Sequence, residues 1–461
     1  MNSITFTPDG LATVPAVSPA PVKRAERISS IDVLRGFGLL GILVMNINSF
    51  ADIEVLLDIP FGTARDAFSG PHAGLNLALF YIKWMFFEGR MRAIFSMLFG
   101  AGVVLLTSRA EKRGAGASIA DIYLRRNMVL LLLGLIHGCF IWTGDILFEY
   151  ALVALLVLYP FRKAAPKKLL LAGVLMAGLT TLLIAHFYHI PSSMVLSRQA
   201  AVIAAEQRQH KPISASEQAV QADWQARVKS HEVATPEQIQ EEIKTIRQKS
   251  YWDRVAGNLP SYFGTGLWFH VLILPDILSA TLIGMGLFRL GFLTGEVSMA
   301  TYVWTALVGF GISLPLSVVG VARTYANNHY SFLSSLEWLF LPYELSRLSG
   351  MLALVATVMI LIKLGLFKRT QRLLAAVGKT ALSNYLMTSL LCQFIFLWGP
   401  WKLFGTLEYY QQMYVVFGVW AVNLTLSSLW LRYFQFGPVE WVWRSLTYGK
   451  RQPMLIRPQA N

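Results

Sequence analysis

The 461-residue chain is 55% hydrophobic and only 14% charged, with a mean hydropathy of +0.50, whereas an average soluble domain is about 25% charged. That balance excludes an ordinary soluble enzyme, and several apolar runs reach the ~20 residues that a bilayer crossing needs. The formal net charge of +14 would suggest nucleic acid only if the basic residues formed one patch or a reader motif. They stand instead in small groups beside the ends of apolar runs, as the positive-inside bias produces. The expected partner is therefore membrane lipid and not nucleic acid.

Residues 1–27 are rich in Pro, Ala, Ser and Thr, end in KRAER and show no apolar periodicity, which reads as a disordered cytoplasmic tail. Apolar segments follow at roughly 34–51, 78–107, 124–142, 146–161, 168–187, 267–290, 301–322, 344–366, 380–398 and 412–432. The expected fold is an all-α, polytopic transmembrane helix bundle of about ten spans. The second segment is too long for one crossing, and LNLALFYIKWMFFEGR reads as an interfacial helix leading into the span MRAIFSMLFGAGVVLL. No small-residue cleavage pattern follows the first segment, so it reads as a retained signal-anchor.

The basic groups orient these spans. Lys23, Arg24 and Arg27 precede the first; Arg109, Lys112, Arg113, Arg125 and Arg126 lie between the second and third; Arg162, Lys163, Lys167 and Lys168 follow the fourth; Lys363, Lys368, Arg369 and Arg372 follow the eighth. Arg444, Lys450 and Arg451 lie in the C-terminal tail, while the loop after the first span carries Asp52, Glu54 and Asp58. Both termini are then expected in the cytoplasm.

Residues 190–258 are polar, rich in Gln, Glu and Lys, and helix-permissive. They divide the chain into an N-terminal transmembrane half, 28–189, and a C-terminal half, 259–435, each of about five spans. By alternation this insert is periplasmic. Residues 436–461 read as an amphipathic, Trp-rich interfacial tail. Cys139 and Cys392 both lie in apolar runs, too few for a disulfide framework.

LIHGCFIWTGDILFEY, residues 135–150, places His137, Asp145, Glu149 and Tyr150 among hydrocarbon-like sequence. Ionisable groups at membrane depth cost several kcal/mol unless they are offset. On one unbroken helix His137 and Asp145 would stand ~12 Å apart. Trp142-Thr143-Gly144 offers a break, after which Asp145 would begin the returning helix and fold back toward the imidazole. Two readings of each residue stand side by side. Asp145 is an N-cap and His137 a hydrogen-bonded neutral ring, or the two form a catalytic pair in which the acid orients a general base or nucleophile. Glu149 is placed to line the same cavity.

Asp32 and Arg35, at i,i+3 in the first span, form an expected ion pair, with Ser29 or Ser30 as cap. Asn46 and Asn48 lie toward the opposite end of that span. Glu88, Arg90 and Arg92 enter the second span, and Gly100 and Gly102 below them read as packing glycines. The eight histidines (72, 137, 186, 189, 210, 231, 270 and 329) are scattered, and apart from a weak His186/His189 spacing no metal site is expected. There is no Walker, dinucleotide or G-x-S-x-G signature.

IDVLRGFGLLGILVMNI, SMLFGAG, LLGLIHGCFIWTGDILFEYALVALL, VGKTALSNYLMTSL and WLRYFQFGPVEWVWRSLTYGKRQP resemble the YeiB-like family of bacterial inner-membrane proteins. The D-x-x-R-G opening, Asp32, Arg35 and Gly36 here, is similar to that of membrane acyltransferases carrying a membrane-embedded histidine. The resemblance implies an inner-membrane location and an acyl group passed from cytoplasmic acyl-CoA to a hydroxyl or amine of an envelope glycan or lipid. His137 and Asp145 would be catalytic, with His72 an outside candidate. Arg35, Asn46, Glu149 and Asn384 would contact substrate. The alternatives are a proton-coupled transporter using His137 and Asp145 as a relay, or a scaffold. Resident cofactor, substrate identity and oligomeric state stay open.

Overall fold

Long apolar sequence with a polar residue every few turns can bury its backbone only as packed helices, and the chain does so. The computed structural model describes residues 5–6, 12–13, 28–53, 70–112, 114, 118–229, 235–326 and 334–456. It is an all-α helix bundle. The described part of the N-terminal tail is a two-residue antiparallel pair, Thr5–Phe6 against Ala12–Thr13; the rest of the tail, with Lys23, Arg24 and Arg27, lies outside the described residues, as do Glu54 and Asp58.

The membrane part opens with α1 (Ser29–Ala51), α2 (Ala73–Ile82, extended by a π turn to Phe87), α3 (Arg90–Lys112), α4 (Ser118–Phe140), α5 (Leu147–Phe161) and α6 (Pro166–Phe187). The insert supplies α7 (Ile190–Arg208), α8 (Ala215–Lys229), α9 (Pro236–Gln248) and α10 (Tyr251–Phe263), the last of which carries the insert past its expected end at residue 258. The bundle resumes with α11 (Thr265–Arg289), α12 (Met299–Ala326), α13 (Tyr343–Lys363), α14 (Lys368–Lys379), α15 (Ala381–Trp398, closing in a π turn), α16 (Tyr409–Tyr433) and α17 (Pro438–Tyr448).

Eight helical segments among the described residues are long and apolar enough to cross a membrane: α1, the α2–α3 stretch, α6, the His270–Arg289 part of α11, α12, α13, α15 and α16. The other two expected spans correspond to α4, which carries Asp121, Arg125 and Arg126 in its first turns, and the shorter α5. The over-long second segment breaks where expected. Gly89 sits between α2 and α3 at φ +66°, a conformation that favours glycine. The expected serine cap of α1 is corrected: Ile28 is the N-cap without a side-chain bond, and the Ser30 hydroxyl donates to the Leu293 carbonyl at 2.7 Å.

The basic groups meet at one end of the bundle. Arg162 and Lys163 reach Glu111 at 4.0 and 3.2 Å, Arg289 donates to the Arg162 carbonyl, and Arg126 lies 3.7 Å from the Trp443 ring. At this basic end α14 crosses α1, and a side chain at Gly378 would run into the Asp32 carbonyl; only glycine permits that approach.

The insert roofs the opposite end. Ile239, Ile243 and Ile246 on α9 recur at helical spacing and pack into the cluster that holds Trp142 and Phe404. This is the amphipathic stripe expected of a docked helix, and burying Ile243, 5% exposed, contributes about 1.5–3 kcal/mol. Thr235 and Ser250 open α9 and α10 with full capping boxes, which satisfy first-turn amides that would otherwise lack acceptors.

Candidate functional site

Just beneath that roof, α4 ends and the chain reverses through Trp142-Thr143-Gly144 into α5. Gly134 on α4 makes the reversal tight: a Cβ there would strike the Phe148 amide and, at 2.9 Å, the Asp145 carboxylate. With no Cβ in the way, the start of α5 nests against α4.

His137 and Asp145 are brought together. His137 Nδ1 lies 2.8 Å from Asp145 Oδ1, with the residues 1% and 4% exposed. A carboxylate only accepts, so Nδ1–H donates and the Nε2 lone pair is left for other work. Asp145 Oδ2 accepts the Phe148 amide at 2.9 Å. Thus the capping and pairing readings are both realised, one on each oxygen. The Tyr385 hydroxyl donates to Asp145 Oδ1 at 3.4 Å, and its ring lies 5.0 Å from the imidazole. His137 Nε2 is buried and has no hydrogen-bond partner among the described residues.

A second histidine–carboxylate pair adjoins the first. Glu149, one turn further along α5, stands with Oε1 2.5 Å from His270 Nδ1 on α11. Phe148 and Tyr262 flank the His270 ring at 5.3 and 4.4 Å. Tyr262 belongs to α10 of the insert and is 3% exposed. The insert therefore supplies a wall of the site.

A third polar group lies beyond Tyr150. The Tyr150 hydroxyl is 3.1 Å from Ser96 Oγ on α3, and Arg92, one turn before Ser96, binds Asp276 at 2.9 Å. Arg347 on α13 reaches the same Asp276 oxygen at 3.3 Å and Glu344 at 2.6 Å.

The other sequence candidates lie apart from His137. Arg35 pairs with Asp32 at 3.4 Å and lies 3.5 Å from the Gly378 carbonyl. It remains at the basic end, where α14 crosses α1. Asn384 donates to Thr380 Oγ1 at 2.9 Å and Ser427 Oγ at 2.7 Å, tying α15 to α16 and lining no described cavity. Asn46 is half-buried on α1, and no described contact joins it to His137 or Asp145. His72 pairs with Glu408 at 3.2 Å with both side chains nearly half exposed. The rings of His186 and His189 lie 6.4 Å apart. His231 and His329 lie outside the described residues.

Sequence reasoning missed His270, Tyr262 and Tyr385. For His270 a signal existed, a histidine inside the apolar run GLWFHVLILPD, but 121 residues separate it from Glu149.

A bundle of apolar helices enclosing paired ionisable groups is a multi-pass membrane protein. Residues 287–450 match DUF418, a family described as a protein of unknown function. The chain is 29% identical to the uncharacterized protein YxaH of Bacillus subtilis, over 94% of this chain and 97% of that protein. It is 28% identical to the uncharacterized protein YeiB of Escherichia coli K12, over 94% and 99%. An uncharacterized 39.9 kDa protein of Bacillus acidopullulyticus, encoded in an amylase 3′ region, is 25% identical over 96% and 99%. The resemblance to the YeiB-like family therefore holds across nearly the whole chain, including the His137 segment that the family match leaves out. No solved structure matches.

Proposed function

We propose that the protein is a membrane acyltransferase that passes an acyl group from acyl-CoA at the basic end to a hydroxyl or amine of an envelope glycan or lipid at the insert end. One observation carries this reading: His137 is fixed through Nδ1 by Asp145, while its buried Nε2 is left without a partner. That is the arrangement of a general base whose orienting acid also stabilises the imidazolium. In the reaction, Nε2 takes the proton of the acceptor hydroxyl as its oxygen attacks the thioester carbonyl. The carbon–sulfur bond breaks, and the departing thiolate of CoA recovers the proton. Direct attack by Nε2, giving an acyl-histidine, is the covalent variant. His137 lies eleven residues beyond Arg126 on α4, about 17 Å along the axis, so the acyl arm would thread the bundle while the nucleotide stayed at the basic end near Arg35. The bacterial inner membrane, with both termini cytoplasmic, is the matching location.

The test is CoA release and covalent labelling by purified protein in lipid nanodiscs, using labelled acetyl-CoA and longer acyl-CoAs. Wild type is compared with His137→Ala and Asp145→Asn. Turnover or labelling that depends on His137 supports acyl transfer. Folded wild-type protein that neither turns over nor binds acyl-CoA would set it aside.

A second reading rests on the His270–Glu149 pair. Two histidine–carboxylate pairs in adjoining helices offer successive proton-carrying groups, as a proton-coupled transporter needs. Uptake or efflux that collapses with the proton gradient, with substrate chemically unchanged, would favour it.

A further inference from the structure

At the N-terminus of α3 the bundle holds a buried guanidinium that has no paired carboxylate of its own among the described residues. Arg90 is 2% exposed. Its Nη atoms donate to the Trp84 carbonyl at 2.5 Å, Ser317 Oγ at 2.8 Å and Ser346 Oγ at 2.9 Å. Weaker contacts reach the Glu88 and Ser313 carbonyls at 3.3 and 3.4 Å. All of these acceptors are neutral. A cavity of about 10 Å³ lies beside it, lined by Trp84, Arg90, Ser317, Trp338, Tyr343 and Arg347 among others, at the lower limit of space for a single water-sized species. Arg90 Nε and Arg347 Nη1, on two of these lining residues, are buried with no hydrogen-bond partner among the described residues.

The charges around the cavity do not cancel. Lys83 is paired with Glu88 at 3.3 Å, Arg92 and Arg347 share Asp276, and Arg347 also holds Glu344. Counting Arg90, these described residues make four cations against three carboxylates even with every carboxylate ionised. Protonation of any carboxylate only widens the excess. Buried unpaired charge is costly, and so are buried donors without acceptors. One small monovalent anion would answer both deficits. Glu88 also lines the cavity, with its carboxylate paired to Lys83, and the small size disfavours phosphate or sulfate.

We propose that this cavity is a binding site for a monovalent anion of chloride size, held by Arg90, Arg347 and the Ser317 hydroxyl. It is independent of the acyl-transfer reading. The test is thermal unfolding of the purified protein in chloride, bromide, formate, acetate or gluconate at constant ionic strength, beside chloride NMR line broadening competed by bromide. The expected result is a saturable upward shift of Tm in chloride and bromide over gluconate, with competable broadening, both lost in Arg90→Met and weakened in Ser317→Val. If Arg90→Met does not fold, the wild-type NMR competition and Ser317→Val decide. A folded wild type with no halide-specific shift and no competable broadening overturns the proposal. So does a halide response retained in Arg90→Met, or one in which formate and acetate act and halides do not.

Discussion

Two buried ionisable clusters lie on either side of Tyr150, and they differ in one chemical respect. The first pairs carboxylates with imidazoles, His137 with Asp145 and His270 with Glu149. The second pairs them with guanidiniums, Arg92 and Arg347 around Asp276 and Glu344. Imidazole changes charge near neutral pH, whereas guanidinium stays charged under all ordinary conditions. The arginine cluster ties α3, α11 and α13 into one body. The histidine cluster joins α4, α5 and α11 through its two imidazole–carboxylate pairs. On the proposed function, the difference separates holding a bundle together from doing chemistry inside it.

The contrast breaks most severely at Asp276. Asp276→Ala leaves the buried Arg347 and the part-buried Arg92 short of a carboxylate and should cost about 3–5 kcal/mol, seen as loss of monodisperse protein in size exclusion and a collapsed unfolding temperature. If Asp276→Ala purifies and melts like wild type, the arginine cluster is not the structural one. His137→Ala should lower acyl-transfer turnover by roughly 10²–10⁴-fold with a smaller loss of unfolding temperature than Asp276→Ala, because Tyr385 and the Phe148 amide still hold Asp145. Asp145→Asn sharpens the point, because Asn also caps helices. The Phe148 amide keeps its acceptor, the fold holds, and turnover falls through loss of the charge that steadies the imidazolium.

Glycine substitutions test the scaffold around both clusters. Gly378→Ala should cost about 1–3 kcal/mol by overpacking, since the added methyl meets the Asp32 carbonyl, a backbone atom that cannot swing aside. An unchanged melting temperature would show that α14 shifts freely over α1.

The smallest effect belongs to the insert. The Ser250 hydroxyl and amide hold the Asp253 carboxyl below its ordinary value of 3.8. This depressed value contributes to the start of α10 above pH 3.8, and the contribution is lost as pH falls through the lower folded-state value. Hydrogen exchange should report faster opening of the first turn of α10 in Ser250→Ala at neutral pH, and in wild type only at acid pH. The bundle should be unaffected in both.

Much of this architecture is written locally. Apolar runs of spanning length, the charged groups at their ends and the polar insert all follow from hydropathy and spacing, because a membrane helix must satisfy its backbone within itself. The His137–Asp145 pair was legible for the same reason: eight residues and one glycine-bearing turn separate the two groups, so a single reversal decides their meeting. Arg35, Asn46 and Asn384 were chosen for residue type and span position alone. The structure brings none of them to His137.

What the sequence determined by itself was therefore the class of protein, the placing of its helices and the one ionisable pair that a single turn creates. Tertiary structure decided the rest: which helix faces which, and so that Glu149 finds His270, that Arg92 and Arg347 share Asp276, and that Tyr262 of the insert closes the site. The physical reason is that spacing along a chain fixes contacts only within a few turns. Contacts between distant helices are set by where small residues such as Gly134 and Gly378 allow close approach, and nothing in a neighbouring stretch of sequence records the partner.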